Sequence, residues 1–283
     1  MDEQRRAYLV KRVTRFLGYS LLIITSLVLI TPVFFMVVSS LKVDAEYLTY
    51  PIRIFPSRPQ WQNYGLVFSM TPFAKIALRT ALLAISTATI TAIVSSMVGF
   101  GFARYNVPGS NFLFGLLVAM MIVPFIVILI PQFILFARLK LTNTYWPWFL
   151  GAMAGTPFYI FMFRQFFKGF PKELEDAAEV DGCGPLRIYW SIFMPNSKPV
   201  IATVMIFAFN SVWSDYLTPS IYLSQTKTLL GVALATAFRN PQGFDLKTVS
   251  MAASVLYVLP MIVVFFLAQK QILKGVVTSG LKG

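Results

Sequence analysis

Long apolar runs alternate with short polar segments along the whole chain. Six runs hold no charged residue apart from one aspartate, and they cover residues 16–41, 80–103, 112–137, 145–163, 199–222 and 248–269. A helix of about 20 apolar residues is long enough to cross the hydrocarbon core of a membrane. The pattern therefore predicts an all-α integral membrane protein, with six transmembrane helices in a single domain over residues 1–283.

Details inside the runs predict where the helices end, bend or pack closely. The first run is too long for a signal peptide and has no small-residue cleavage site before the next charges. Pro124 and Pro131 are expected to break or kink the third helix. Gly151 and Gly155 have the spacing of a close helix contact, either within the subunit or at an interface between subunits.

The composition is that of a membrane protein. Hydrophobic residues make up 57% of the chain and charged residues 12%, with a mean hydropathy of +0.70, whereas soluble domains carry about 25% charged residues. We attribute the net charge of +13 to basic flanks that face anionic lipid, and we expect no nucleic-acid partner. The single cysteine excludes an internal disulfide. The chain has no histidine, which removes histidine general bases, histidine-based triads and most zinc sites. We expect no metal site and no catalytic residue.

Basic residues before the first run predict the orientation of the chain. Five lysines and arginines precede residue 16, and such clusters usually stay in the cytoplasm. Both termini are then cytoplasmic. The sequence contains no internal repeat of the kind that inverted-repeat carriers have. A stand-alone secondary carrier or channel is nevertheless the alternative function. Gly275 and Gly280 resemble the start of a P-loop in spacing, but Gly-Lys-Ser/Thr does not follow, so we expect no nucleotide site.

One polar stretch, Lys172–Pro195 in the cytoplasmic loop 169–198, is too charged for hydrocarbon and predicts two short helices around a bend. Carboxylates suit the first turn of the first helix, which holds Glu173, Glu175 and Asp176. The apolar face of that helix is narrow and consists of Leu174, Ala177 and Ala178. The apolar face of the second helix consists of Leu186, Tyr189, Trp190 and Phe193. Gly182 is expected to break the first helix, and Pro195 to end the second. An acidic helix with small apolar residues on a membrane protein predicts a docking surface for a partner.

Asp215 is the one acidic residue inside a predicted membrane helix. An ionised carboxylate at mid-membrane costs about 2.5–3.5 kcal/mol, so Asp215 should face water or a partner group. Asn210, Trp213 and Tyr216 are near it in sequence, and such side chains suit sugar hydroxyls and sugar ring faces, so these four residues are a candidate translocation path. The alternative is a structural role for Asp215, which would cap or pair at the outer interface. Asn210 lies on roughly the opposite helix face and need not share the site.

The polar stretch also resembles a known family. Asp176–Ala177–Ala178, three residues, Gly182, nine residues and Ile192–Phe193–Met194–Pro195 resemble the EAA loop in permease subunits of ATP-binding-cassette importers. Asp176 replaces the usual glutamate and Met194 the usual leucine, and both keep the charge or the bulk. The likeness extends over nearly the whole chain to the second permease subunit of carbohydrate importers of the maltose type. The stretches that carry it are 46–64, 101–111, 163–182, 251–260 and 275–283.

The resemblance implies a type I importer permease fold and a non-catalytic subunit of a sugar or oligosaccharide importer. The membrane would be the cytoplasmic (inner) membrane of a bacterium or archaeon. The implied partners are a second permease in a heterodimer, two ATP-binding subunits that hold ATP and magnesium, and an extracytoplasmic solute-binding protein. This chain itself would bind no cofactor.

The resemblance also assigns roles to particular residues. Those implied to couple to the ATPases are Glu173, Glu175, Asp176, Ala177, Ala178, Asp181, Gly182, Ile192 and Pro195. Those implied to contact the ATPases from the C-terminal tail are Gly275, Gly280 and Lys282. The external loop 223–247 is long enough to reach the binding protein.

Overall fold

The computed structural model describes residues 2–280, with side chains for residues 8–9, 11–266 and 269. This part of the chain is helical, and its one β-type pairing is an isolated bridge between Arg239 and Asp245. The architecture agrees with the predicted all-α class.

The described residues form fifteen α-helices. Those of the first half are α1 (Asp2–Ser40), α2 (Asp44–Tyr47), α3 (Gln62–Met70), α4 (Phe73–Arg104), α5 (Ser110–Met120), α6 (Phe125–Arg138), α7 (Trp146–Ala154) and α8 (Pro157–Lys168). Those of the second half are α9 (Glu173–Val180), α10 (Pro185–Ile188), α11 (Met194–Asn196), α12 (Lys198–Trp213), α13 (Leu217–Tyr222), α14 (Leu230–Thr236) and α15 (Lys247–Gly280). A π-helical turn at Tyr189–Phe193 joins α10 to α11, and a 3₁₀ turn covers Gln225–Lys227.

Three helical stretches in the described residues are long and apolar enough to cross a membrane: Lys11–Ser40, Phe73–Arg104 and Lys247–Phe266. Two further pairs reach that length only together. They are α5 with α6, bent by 97°, and the stretch Pro185–Asn196 with α12, bent by 82°. Counting each bent pair as one span gives five spans. Three of the six predicted spans are divided: 112–137 falls on α5 and α6, 145–163 on α7 and α8, and 199–222 on α12 and α13. Within the described residues, the run 145–163 belongs neither to a spanning helix nor to a bent pair of spanning length.

Proline and glycine explain why two of the predicted helices are divided. Pro124 precedes α6 with an extended backbone, and it has no N–H with which to continue the helix before it. Pro131, in contrast, lies inside α6. Gly155 ends α7 at φ +72°, a left-handed conformation that suits glycine, and Pro157 opens α8. Gly151 and Gly155 therefore do not lie on one continuous helix, and a Cβ atom at Gly151 would touch nothing within 4 Å.

Residues 2–71 and the stretch Phe238–Leu256 form one compact unit. Buried polar contacts fix its turns. The side-chain amide of Asn63 donates to two backbone carbonyl oxygens near the end of α1, both at 2.8 Å. Asp44 Oδ1 accepts hydrogen bonds from the backbone N–H and the hydroxyl of Thr248, at 2.8 and 2.9 Å. These contacts tie the start of α15 to the segment that follows α1.

Pro72–Ala237 and residues 257–280 form the second compact unit, in which α4 packs against α7, α8 and α12. The buried face of α4 is made largely of small residues: Thr80, Ala84, Thr87, Ala88, Ala92, Ser95 and Ser96. A Cβ atom placed on Gly99 would lie 2.7 Å from Phe163 Cβ on α8. The small residues thus allow α4 and α8 to lie close together.

Candidate functional site

The first helix of the polar segment Lys172–Pro195 forms where the sequence predicts it. Three carboxylates lie in the first turn of α9, at the positive end of the helix dipole. The helix ends in a Schellman motif, in which Gly182 N–H donates to Glu179 O and Cys183 N–H donates to Ala178 O, both at 2.9 Å. Gly182 has φ +76°, so this turn requires a residue that tolerates the left-handed region.

The helix α9 has one exposed face and one buried face. The exposed residues of one face follow helical spacing and are Glu173, Asp176, Ala177 and Val180. On the other face, the side chain of Glu175 is 14% exposed and Ala178 is 7% exposed. The sequence pattern placed both alanines on one docking face, but the structure exposes Ala177 and buries Ala178 within the subunit.

Arg104, at the C-terminal end of α4, holds the buried face of α9. Its guanidinium group forms an ion pair with Glu175. It also donates to the carbonyl oxygens of Phe167 and Phe170, at 3.4 and 3.3 Å. Its Cζ atom lies 5.4 Å from the ring centroid of Phe193, within the range of a cation–π contact. Glu175 is therefore engaged inside its own subunit, and sequence reasoning missed Arg104 because the two residues are far apart in the chain.

Tyr105 follows Arg104 and lies near the carboxylates of α9. Burial raises the pKa of its hydroxyl, and the charges of Glu175 and Glu179 raise it further. A tyrosine hydroxyl of ordinary pKa is already neutral at pH 7, and the shift is away from neutral pH, so Tyr105 adds no negative charge beside the acidic helix.

The second helix of the polar segment is anchored to the end of α4. The hydroxyl oxygens of Tyr189 and Ser96 form a buried hydrogen bond of 2.6 Å. Phe193 is fully buried, and its ring centroid lies 4.8 Å from that of Phe100 on α4. The remaining two residues of the predicted apolar face are exposed, namely Leu186 and Trp190. Half of the predicted face thus packs inside the subunit, and half is available for contact with a partner.

The polar segment joins α12 at a bend of 82°. Ser197 lies at the bend, fully buried, and its hydroxyl donates to Phe193 O at 2.6 Å. The sequence predicts that Pro195 ends the second helix. Pro195 instead lies within α11, which continues to Asn196. Ile192 is half-buried in the π-helical turn.

The four residues of the candidate translocation path do not form one site. Asn210 and Tyr216 are exposed. Trp213 is buried and stacks on Tyr257 with ring centroids 5.8 Å apart, and its indole N–H donates to Tyr257 O at 3.3 Å. Trp213 thus has a packing role, and of the four residues Asp215 alone lines the adjacent cavity.

This cavity has a volume of about 420 Å³ and lies among α4, α6, α7, α8, α12 and α13. Its polar lining residues are Thr87, Thr91, Gln132, Ser211, Asp215 and Thr218. Asp215 Oδ1 accepts a hydrogen bond from the backbone N–H of Thr218 at 3.0 Å, which is the capping role that the sequence left as an alternative. Sequence reasoning missed most of these residues because they lie on different helices. The spacing of four between Ser211 and Asp215 was the one local signal.

The remaining predicted contact residues lie in the tail. Gly275 and Gly280 belong to the last part of α15, and Lys282 lies outside the described residues. Their contact with an ATPase stays a prediction. Among the described residues, no three acidic or cysteine side chains gather into a group that could hold a metal ion.

The predicted external loop 223–247 contains two differently folded parts. In the first part, Leu230 is fully buried and its backbone N–H donates to Thr80 Oγ1 at 2.9 Å. In the second part, Asn240 Oδ1 accepts hydrogen bonds from the N–H groups of Gln242 and Phe244, at 3.1 and 2.8 Å. Phe244 is 71% exposed at this turn, so the turn presents an apolar side chain to solvent.

Comparison with known proteins agrees with this architecture. The family described as "Binding-protein-dependent transport system inner membrane component" matches residues 95–277. The arabinooligosaccharides transport system permease protein AraQ of Bacillus subtilis is 31% identical over 262 residues, covering 91% of this chain and 92% of AraQ. The lactose transport system permease protein LacG of Rhizobium radiobacter is 29% identical, covering 95% of this chain and 97% of LacG.

Solved structures show the same fold. A chain of a bacterial ABC transporter involved in the import of the acidic polysaccharide alginate superposes with a TM-score of 0.75 at 20% identity, covering 92% of this chain and 96% of that one. A chain of the MetNI methionine ABC transporter superposes with a TM-score of 0.51 at 15% identity, covering 70% and 93%.

The helical fold is the fold of transmembrane chains from ATP-binding-cassette transporters. The chain belongs to the family of binding-protein-dependent transport system inner membrane components, among the permeases of carbohydrate importers. The predicted class of protein and its fold class are thereby confirmed.

Proposed function

We propose that this chain is one of two permease subunits in an ATP-driven importer of a sugar or oligosaccharide. The observation that carries the proposal is the polar segment, which has an exposed acidic face on α9 and a buried face held by Arg104. The relatives named for arabinooligosaccharide and lactose transport support a carbohydrate as the substrate.

In this proposal the exposed face of α9 docks on an ATPase subunit. Glu173, Asp176 and Asp181 pair with basic or polar groups of the ATPase, and such charge complementarity fixes the orientation of the contact. Ala177 allows the two backbones to approach closely. Leu186 and Trp190 add exposed apolar area beside this face.

Movement of the docked helix reaches the membrane through the contacts described above. The ion pair of Glu175 with Arg104 ties α9 to α4, and the hydrogen bond of Tyr189 with Ser96 ties the second helix to α4 as well. The bend at Ser197 passes the same movement to α12. A switch from 1:99 to 99:1 between inward- and outward-facing states needs about 5.5 kcal/mol of differential binding, which ATP and the loaded binding protein would supply together.

The proposal assigns the other components by their chemistry. The second permease forms a heterodimer with this chain, and two ATP-binding subunits hold ATP and magnesium and carry out hydrolysis. Both termini and the polar segment face the cytoplasm, where Gly275, Gly280 and Lys282 contact the ATPases. The turn that carries Phe244 is external and contacts the solute-binding protein. This chain binds no cofactor.

Site-specific crosslinking tests the docking face. Cys183 is replaced by serine, and a single cysteine is introduced at Ala177, which is exposed, or at Ala178, which is 7% exposed. Each variant of the assembled complex is treated with a photo-activated maleimide crosslinker. We expect a covalent product with the ATPase subunit from Ala177→Cys and none from Ala178→Cys.

The neighbouring alanine is a matched control, because it differs by one position on the same helix. If Ala177→Cys is labelled freely in the complex but yields no product with an ATPase, the docking face is wrong. If no ATPase is present in the purified complex, the stand-alone carrier or channel becomes the better account of the function.

A further inference from the structure

We propose that the cavity among α4, α6, α7, α8, α12 and α13 binds one neutral sugar unit of the transported carbohydrate. This inference rests on the proposed function and names the substrate class of the membrane path in this subunit. The cavity volume of about 420 Å³ lies within the range of small-molecule sites, which is about 300–1,000 Å³.

The cavity wall contains both hydrogen-bond donors and hydrogen-bond acceptors. Gln132 supplies one amide oxygen and two amide hydrogens, and among the described residues no hydrogen bond to its side chain occurs. Thr91 and Ser211 supply hydroxyl groups from α4 and α12. Asp215 uses Oδ1 to accept from Thr218 N–H, and Oδ2 is a further acceptor. Neighbouring hydroxyls of a sugar need such paired donors and acceptors.

One hydroxyl in the cavity wall, that of Tyr222, has no hydrogen-bond partner. Tyr222 lines the cavity and is 3% exposed, and its hydroxyl is buried without a hydrogen-bond partner. A buried hydroxyl in this condition is costly, and a small shift of the ring or a ligand hydroxyl would satisfy it. The ring of Tyr222 is held edge-on to Trp148 with centroids 5.9 Å apart.

Aromatic side chains form part of the cavity wall. Trp148, Phe125 and Tyr159 line the cavity on three different helices. The C–H face of a pyranose or furanose ring is apolar, and an aromatic ring face is the surface that buries it well. The combination of aromatic faces with a few polar groups is the usual composition of a small-molecule site.

The charge of the cavity wall limits the substrate class. Asp215 is the one ionisable acid in the wall, and no lysine or arginine lines this cavity in the part of the chain that the structure describes. A uronate or a sugar phosphate would bring a negative charge beside the carboxyl group of Asp215, with no cation among the described lining residues to balance it. A neutral sugar meets no such penalty.

Transport kinetics of the assembled importer in proteoliposomes test the site. The probes are neutral arabino- and malto-oligosaccharides and, as charged counterparts, oligogalacturonates. We expect Thr91→Ala and Gln132→Ala to raise KM for the neutral probe by about fivefold or more, because each removes a hydrogen-bonding group. Thr89→Ala is the matched control on the same helix, since Thr89 is exposed and bonds only to its own helix, at Ile85 O.

A charge change tests the substrate class separately. Asp215→Asn keeps an acceptor for Thr218 N–H and removes the carboxylate. We expect this variant to lower the ratio of kcat/KM for the neutral probe to kcat/KM for oligogalacturonate by about tenfold, the effect of one removed repulsion.

ATPase activity separates failure of this site from failure of the proposed function. If Thr91→Ala and Gln132→Ala behave like Thr89→Ala while loaded binding protein still stimulates ATP hydrolysis, the sugar site is wrong and the importer assignment stands. A wild-type complex that prefers oligogalacturonate also overturns the site. A wild-type complex without sugar-stimulated ATPase activity and uptake overturns the proposed function itself, and the site with it.

Discussion

At the C-terminal end of α4, one guanidinium group satisfies a carboxylate, two backbone carbonyl oxygens and an aromatic ring. The carboxylate belongs to Glu175, and the side chains of Arg104 and Glu175 are 10% and 14% exposed. Removing one partner of a buried ion pair is far more costly than removing both, because a lone charge stays behind without solvent. The ion pair therefore mainly fixes the orientation of α9.

We expect Arg104→Met to lower the free energy of unfolding by about 3 kcal/mol, since it leaves Glu175 unpaired while the side-chain stem is preserved. The double variant Arg104→Met with Glu175→Gln should lose less than the sum of the two single changes. Denaturant titration of the detergent-solubilised complex measures all three variants. Strict additivity of the single changes would contradict the coupling of these two residues.

Gly182 gives a second prediction at the residue scale. Its φ of +76° is a left-handed conformation, whereas Gly184 has φ −74° and ψ 166°, which any residue adopts. A Cβ atom meets nothing within 4 Å at either position. We expect Gly182→Ala to cost about 1–2 kcal/mol through backbone strain alone.

The matched control for this change is Gly184→Ala, which should be close to neutral. The stability of both variants is compared by denaturant titration, together with the ratio of ATP hydrolysed to sugar transported. Equal stability of the two variants would show that the backbone at Gly182 is not constrained as described.

At the scale of elements, the contact between α4 and α8 depends on the absence of side chains. A Cβ atom at Gly99 would lie 2.7 Å from Phe163 Cβ and 3.1 Å from the backbone of both Arg164 and Ile160. None of these is the free end of a flexible side chain, so the helices would have to separate. In a membrane, helix association relies on this close packing.

We expect Gly99→Ala to destabilise the subunit by about 2 kcal/mol, the usual cost of overpacking. Gly101→Ala, two positions further along the same helix, meets nothing within 4 Å and should be neutral or slightly stabilising. Thermal inactivation of the purified complex compares the two. If Gly101→Ala is as damaging as Gly99→Ala, the helix contact is not where the structure places it.

Local sequence signals predict some of the helix ends and helix contacts and miss others. The end of α9 at Gly182, the break before α6 at Pro124 and the small-residue face of α4 are each encoded by neighbouring residues, and the structure contains all three. The division between α7 and α8 was missed, because Gly155 within an apolar run also fits a close helix contact. Periodicity alone does not decide between these two roles of glycine.

For the whole molecule, the fold class and the family were predictable, and the site was predictable only in part. The hydrophobic runs predict the all-α membrane fold class, and the motif spacing from Asp176 to Pro195 indicates the family. The pairing of Glu175 depends on Arg104, which is distant in sequence, and the cavity wall around Asp215 comes from six helices. Such contacts between distant segments leave no periodic signal in a single sequence.

The central claim is that this chain couples ATP hydrolysis by partner subunits to carbohydrate import. The most direct measurement is the ATPase activity of the complex purified through a tag on this chain, with and without the solute-binding protein and a panel of neutral oligosaccharides. The account predicts that an ATP-binding subunit co-purifies and that loaded binding protein raises the turnover severalfold over the unloaded protein. A stable chain that purifies without an ATPase, or a complex whose turnover ignores the loaded binding protein, would contradict it.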